Sequence, residues 1–261
     1  MDRPLVAVPV IAAVCGLVFV AWLASGADPT LRQVMATHFM SSADHLADGR
    51  WWTLLTAAFS HRDPIHLGFS LFVLWSFGRF FERLWGTAVF SVFYVIAAVV
   101  ASAGHCLISS RLLDAPHAAG LGASGALAGL VLAGALSFPK HRIYLFGAIP
   151  LPALAAALGF VAFDLWGLFF QSRGGALAIG HGAHLGGALC GALFWATYLR
   201  SRFRRPAASD SAHIVMSRAE VEEFQRLRAK LDQEGPQSLT PKEKAFLDEI
   251  RERVMQAQSS S

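Results

Sequence analysis

Five long runs without a charged residue, at 4–27, 86–110, 117–139, 143–163 and 174–199, constrain this chain more than any other feature. Each is long enough to cross about 30 Å of hydrocarbon as a helix rising about 1.5 Å per residue. A sixth run, 66–80, is bounded by Arg79, Glu82 and Arg83, whose long side chains can reach the interface from a helix end. With 54% of its residues hydrophobic and only 15% charged, the chain is too apolar for an ordinary soluble domain. The expected fold is all-α, a polytopic bundle of six transmembrane helices over residues 1–200. The first run is too long for a signal-peptide core and has no convincing cleavage site, so it counts as a span.

The loops set the orientation. Arg79, Arg83, Lys140 and Arg142 lie in short even-numbered connections, and Arg200, Arg202, Arg204 and Arg205 follow the last span, which places both ends in the cytoplasm. A long loop at 28–64 and shorter ones near 111–116 and 171–174 lie on the other side. Cys15, Cys106 and Cys190 fall within spans without metal-ligand spacing and read as packing residues. Anionic lipid accounts for the net charge of +4 without nucleic acid.

Past a linker at 201–216 the composition turns polar. Ser217 and Glu220 form a capping box ahead of Val221, Phe224, Leu227 and Leu231 at helical spacing. Gly235-Pro236 ends that helix. Thr240-Pro241 opens another, with Phe246, Leu247, Ile250 and Val254 along one side. This hairpin, 217–256, is too small for a self-sufficient core, so it is expected to dock on the membrane domain, a second copy or a cytoplasmic partner. The other reading is a loosely ordered solubilising tail.

Within the apolar runs, a polar group needs a reason. Ser124, in GLGASGALAGL, can bond back to its own helix, and Gly125 with Gly129 can be a helix-packing surface. His61, His66, His181 and His184 are harder to dismiss, because intramembrane ionisable residues mark function. Span four starting near Gly120 puts Ser124 about one turn in, and span six starting near 176 puts His184 about two turns in. A serine and a histidine at matched depth form the nucleophile and base of acyl transfer. Lys140, the only lysine before residue 200, would lie about 24 Å from Ser124, which removes a Ser–Lys pair. His181 and His184 are spaced for one face, but no carboxylate or cysteine completes a metal set at that depth, so neither metal nor cofactor is expected. Asp164 reads as a satisfied polar anchor rather than a third catalytic member.

Together these residues resemble the rhomboid family of intramembrane serine proteases. Gly122-Ala123-Ser124-Gly125 is similar to its GxSG, and Ala183-His184 with Gly187 and Gly191 to its AHxxGxxxG. Trp51-Trp52-Thr53 through His61, then His66, resemble its first-loop and second-span signature, and Phe163-Asp164-Leu165-Trp166-Gly167 its span-five ending. The resemblance covers about residues 1 to 200. It implies Ser124 as nucleophile and His184 as general base, a dyad without an acid, with the Ser124 amide and His66 holding the oxyanion. The implied substrates are single-span membrane proteins in the lipid bilayer, and the implied site is a bacterial inner membrane. A non-proteolytic or weakly active binder of transmembrane helices is the alternative. Two positions depart from the family pattern. Ser70 stands where an asparagine is common as an oxyanion donor, and Ala128 where an aromatic often packs the imidazole. Phe163 and Trp166, with Phe160, Phe169 and Phe170, are expected to pack against Phe69, Phe72 and Trp75 as a lateral gate.

Overall fold

The computed structural model describes residues 4–145, 149–175, 179–203 and 216–259, and the chain divides into two compact units, Met1–Arg200 and Ser201–Ser261. The first unit opens with α1 (Ala7–Ala24). The stretch expected as a plain loop then forms three short helices, α2 (Pro29–Phe39), α3 (Ala43–Ala47) and α4 (Thr53–Thr56). Their signals are local: Asp28 caps α2 by accepting the Thr30 and Leu31 amides, with Pro29 at the first helical position. The same device starts α5 (Pro64–Val73), where Asp63 accepts the His66 amide at 2.7 Å. That helix runs on through a π-helical turn, Leu74–Gly78, into α6 (Arg79–Trp85). Gly86, at φ +87°, ends it in a conformation that costs a glycine little, and α7 (Thr87–Arg111) follows.

After α8 (Ser124–Ser137) the structure departs from the expected start of span five at 143. Residues there form an antiparallel hairpin of β1 (Arg142–Leu145) and β2 (Ile149–Pro152), with Ile143 opposite Leu151. Pro150 and Pro152 explain this, since a proline has no amide to give a helix and biases the residue before it away from helical angles. The apolar helix α9 therefore begins at Ala153 and ends at Ser172. Next, α10 (His181–Phe194) passes through a second π-helical turn, Trp195–Leu199, into α11 (Arg200–Phe203). Most of the expected linker, 204–215, lies outside the described residues. By length and composition α1, α7 and α9 can each cross a membrane, and their outward residues, such as Leu17, Val92 and Leu165, are exposed and apolar. The unit is a helical membrane protein.

The core is built on glycine. Gly125 and Gly129 on α8 face Gly187 and Gly191 on α10 so closely that a Cβ on Gly187 would overlap the Gly125 carbonyl oxygen, and one on Gly191 the Gly129 carbonyl oxygen. Gly104 on α7 and Gly186 on α10 repeat the contact on the other flank, where an added Cβ on Gly104 would lie 3.1 Å from the Gly186 Cα. Without a water-driven hydrophobic effect between helices in lipid, van der Waals contact of this kind is what holds them together. Glu82 ties α1 to this bundle. Rather than reaching the interface, its carboxylate is buried and accepts the amides of Val6, Ala7 and Val8 at 2.8, 2.8 and 2.9 Å, and the Thr87 hydroxyl at 2.9 Å. A negative group there satisfies amides that the helix itself leaves unpaired and complements its dipole.

In the second unit, α12 (Arg218–Glu234) and α13 (Pro241–Ser259) form the expected pair of helices, joined through Gly235 at φ +78° and a short 3-10 turn. The Ser217–Glu220 capping box is present in both directions. Leu227 and Ile250 are buried, and Arg253 to Glu220 at 2.6 Å and Lys230 to Glu243 at 3.0 Å clip the helices together. The side chain of Val254 lies outside the described residues.

The glycine contact gives a direct test. Gly187→Ala is expected to lower thermal stability in detergent micelles by about 1–3 kcal/mol, because backbone cannot yield as a rotamer does. Gly159→Ala, where an added Cβ meets nothing within 4 Å, should leave stability within about 0.5 kcal/mol of the parent. Equal effects at the two positions would contradict the packing account.

Candidate active site

Ser124 is the first residue of α8, not one turn inside it as span four beginning near Gly120 implied. The segment ahead of it is held extended by its own backbone. Ser41 and Gly120 exchange both amide hydrogen bonds, at 2.9 and 2.8 Å, and the Gly122 amide donates to the Ala57 carbonyl at 2.8 Å. Gly122 stands at φ +119°, and a Cβ there would come within 2.5 Å of the His66 ring. The next amide, Ala123, donates to His61 Nε2 at 3.2 Å. The Ser124 amide follows these at a helix N-terminus, where N–H groups without an intrahelical partner gather.

The base comes from α10. His184 Nε2 lies 3.0 Å from Ser124 Oγ, and the imidazole keeps 12% side-chain exposure. Like Ser124, His184 is nearer its helix start than expected, since α10 begins at His181. Both helices start later than the apolar runs suggest, so the two residues still meet. His66, in the first turn of α5, is half-buried with its ring against Gly122, which brings it to the residues just before Ser124. Ser70 lies one turn further along α5, and its hydroxyl is buried without a hydrogen-bond partner among the described residues.

Asp164 is buried and satisfied, as a polar anchor should be, and its partners are the two imidazoles of α10. Its Oδ1 accepts hydrogen bonds from His184 Nδ1 at 2.9 Å and His181 Nδ1 at 2.7 Å, so the anchor touches the imidazole paired with Ser124. These three residues also place ligand atoms within 4.8 Å of one another, a donor set able to hold a metal ion, with Asp164 as the carboxylate the sequence seemed to lack. As described, those same atoms are joined by hydrogen bonds. Ala128 is buried and small, and the aromatic beside the imidazole is instead Phe160, with ring centroids 5.2 Å apart. The signal was there to read: Phe160 and Asp164 are one helical turn apart on α9 and so share a face.

Phe163 and Trp166 are 44% and 55% exposed, with Phe163 set edge-on to His181 at 5.7 Å. Among the described residues no ring contact joins α9 to Phe69, Phe72 or Trp75, all three of which are exposed. The expected aromatic seam is thus not built from ring-on-ring contacts among the described residues.

His61 lies in the loop before α5, fully buried. Burial, then the neighbouring His66 4.9 Å away, pushes its pKa from 6.5 down to about 4. It is neutral at pH 7, with Nε2 free to accept the Ala123 amide. Between about pH 6.5 and about pH 4 the unfolded chain takes a proton that folded His61 refuses, so this group makes stability fall as the pH drops through that window. Thermal melts of the parent and His61→Gln should show a steeper loss for the parent over that range. Parallel slopes would contradict the assignment.

A family model for the rhomboid domain matches residues 48–201, more than half of the chain. The chain is 33% identical over 199 residues to RHOMBOID-like protein 12, mitochondrial, of Arabidopsis thaliana, covering 72% of this chain and 56% of that protein. It is 33% identical over 145 residues to Rhomboid protein 1, mitochondrial, of Saccharomyces cerevisiae, covering 54% and 40%. Rhomboid protease GluP of Bacillus subtilis is 32% identical over 115 residues, covering 44% and 22%. The chain thus spans about half or less of the length of these curated relatives, and the helical hairpin formed by α12 and α13 lies beyond the matched domain. On the matched domain and these relatives, the chain belongs to the rhomboid family.

Proposed function

We propose that the chain is an intramembrane serine endopeptidase that cleaves transmembrane segments of single-span membrane proteins. The observation that carries this reading is the 3.0 Å pairing of Ser124 Oγ with His184 Nε2 at the start of α8. His184 takes the hydroxyl proton as Oγ attacks the scissile carbonyl, and the resulting oxyanion faces the Ser124 amide. His184 then gives the proton to the leaving amine as the C–N bond breaks. Water, deprotonated by the same imidazole, attacks the acyl-enzyme, releases the new carboxyl end and restores Ser124. His66 and the unpartnered Ser70 hydroxyl are the further oxyanion donors in this reading.

The reading uses six spans, formed by α1, α5 with α6, α7, α8, α9, and α10 with its extension. At 14 residues α8 is about 21 Å long, shorter than the roughly 30 Å of hydrocarbon. With its far end near Lys140 at the cytoplasmic face, Ser124 sits about 9 Å below the opposite surface, at the floor of a recess that water can fill. Substrate helices reach it sideways between α5 and α9, past Phe163 and Trp166, both of which are exposed. The membrane in this reading is a bacterial inner membrane, and the basic loops favour both termini on its cytoplasmic side. The hairpin of 217–256 is read as a docking element for a cytoplasmic partner.

Purified chain reconstituted with a single-span reporter tests the reading. Ser124→Ala and His184→Ala are each expected to lower cleavage at least about 10³-fold with melting temperatures close to the parent's. Retained cleavage in Ser124→Ala would overturn it, and a parent that binds the reporter without cutting it would support the binder of transmembrane helices instead. Ser70→Ala should lower kcat up to about 10²-fold while KM holds, since an oxyanion contact exists mainly in the transition state.

A further inference from the structure

We infer that Asp164 and His181 are positioning residues that fix the tautomer and orientation of His184, an inference that rests on the serine-protease reading above. A single carboxylate oxygen, Asp164 Oδ1, sits 2.7 Å from His181 Nδ1 and 2.9 Å from His184 Nδ1. A carboxylate oxygen only accepts, so each ring carries its proton on Nδ1. For His184 this leaves the Nε2 lone pair pointing at Ser124 Oγ, 3.0 Å away, which is the form a general base needs. The opposite tautomer would set an N–H against the serine and a lone pair against the carboxylate.

His181 has a separate part. It lies one turn before His184 on α10, so the two rings converge on Asp164 from one helix face. Its side chain is fully buried, and its Nε2 has no hydrogen-bond partner among the described residues. The ring fills a socket on α9, where a Cβ on Gly167 would overlap its Nε2 and Phe163 closes one edge. A ring locked in this way holds Asp164 Oδ1 in place, and Asp164 in turn holds His184. Phe160 limits rotation of the His184 ring from the open side. The base is thus supported by one carboxylate and a second histidine, rather than by an aromatic at position 128.

Nitrogen-15 spectra of histidine-labelled full chain in micelles test this without any turnover. At neutral pH His184 is expected as the Nδ1–H tautomer, and Asp164→Asn, whose amide can turn its NH2 toward Nδ1, should convert it to Nε2–H. On the reporter substrate Asp164→Asn should lower kcat about 10²-fold or more with KM within twofold. His181→Phe, which keeps a somewhat larger aromatic ring in the socket and removes the donor, should lower kcat about 10-fold in the same manner. An Nε2–H His184 in the parent overturns the inference whatever the variants do, and so does an Asp164→Asn chain with kcat within threefold of the parent. If the parent cleaves nothing yet shows the Nδ1–H tautomer that Asp164→Asn reverses, the protease reading fails and the positioning stands.

Discussion

Backbone contact between α8 and α10 is the constraint from which the rest of the membrane unit follows. Gly125 and Gly129 meet Gly187 and Gly191 with no side chain between them, and Gly104 with Gly186 brings α7 to the same column. Helices held this closely cannot slide or roll without collision, so residues beside the contact inherit its precision. Ser124 precedes Gly125, and His184 lies one turn before Gly187. The 3.0 Å pairing of the two is therefore a property of the seam as much as of the side chains. Any residue larger than glycine in the seam would spread the helices and separate the pair.

Polar groups within the unit are treated with equal economy. Buried amides and carboxylates are costly in an apolar setting unless paired. The segment before Ser124 meets this condition at Gly120, Gly122 and Ala123, whose amides donate to Ser41, Ala57 and His61. Glu82 does the same for the start of α1, and Asp164 for two imidazoles. Against this background the Ser70 hydroxyl, like Trp85 Nε1 and Tyr94 Oη, is buried without a hydrogen-bond partner among the described residues, and of the three it alone lies one turn from His66. A site that stabilises developing charge needs such donors fixed in advance.

Much of this was legible in the sequence, for reasons that also explain the misses. Long uncharged runs identified the apolar helices, and GxSG with AHxxGxxxG singled out Ser124 and His184 because glycine spacing and chemistry coincide there. Helix starts were misjudged wherever a run of apolar composition included loop, as at 120–123 and at 143–152. Composition reports what lipid tolerates, whereas Gly122 and the prolines at 150 and 152 decide what the backbone does. That Asp164 is a satisfied anchor was legible, but its partners were not, because they lie on another helix, 17 and 20 positions away, and no periodicity within α9 points to them. Ala128 leaves the family's usual aromatic position on α8 empty, and the ring beside His184 comes instead from Phe160 on α9, since a ring needs only to be adjacent in space.

The central claim, that the seam delivers Ser124 to His184 as an activated nucleophile, is tested most directly by a fluorophosphonate probe with the modified residue identified by mass spectrometry. The account predicts one adduct, on Ser124, in the folded parent, and its loss in a folded His184→Asn chain. A folded parent that stays unmodified, carries the adduct elsewhere, or reacts at Ser124 equally well without His184 would contradict it.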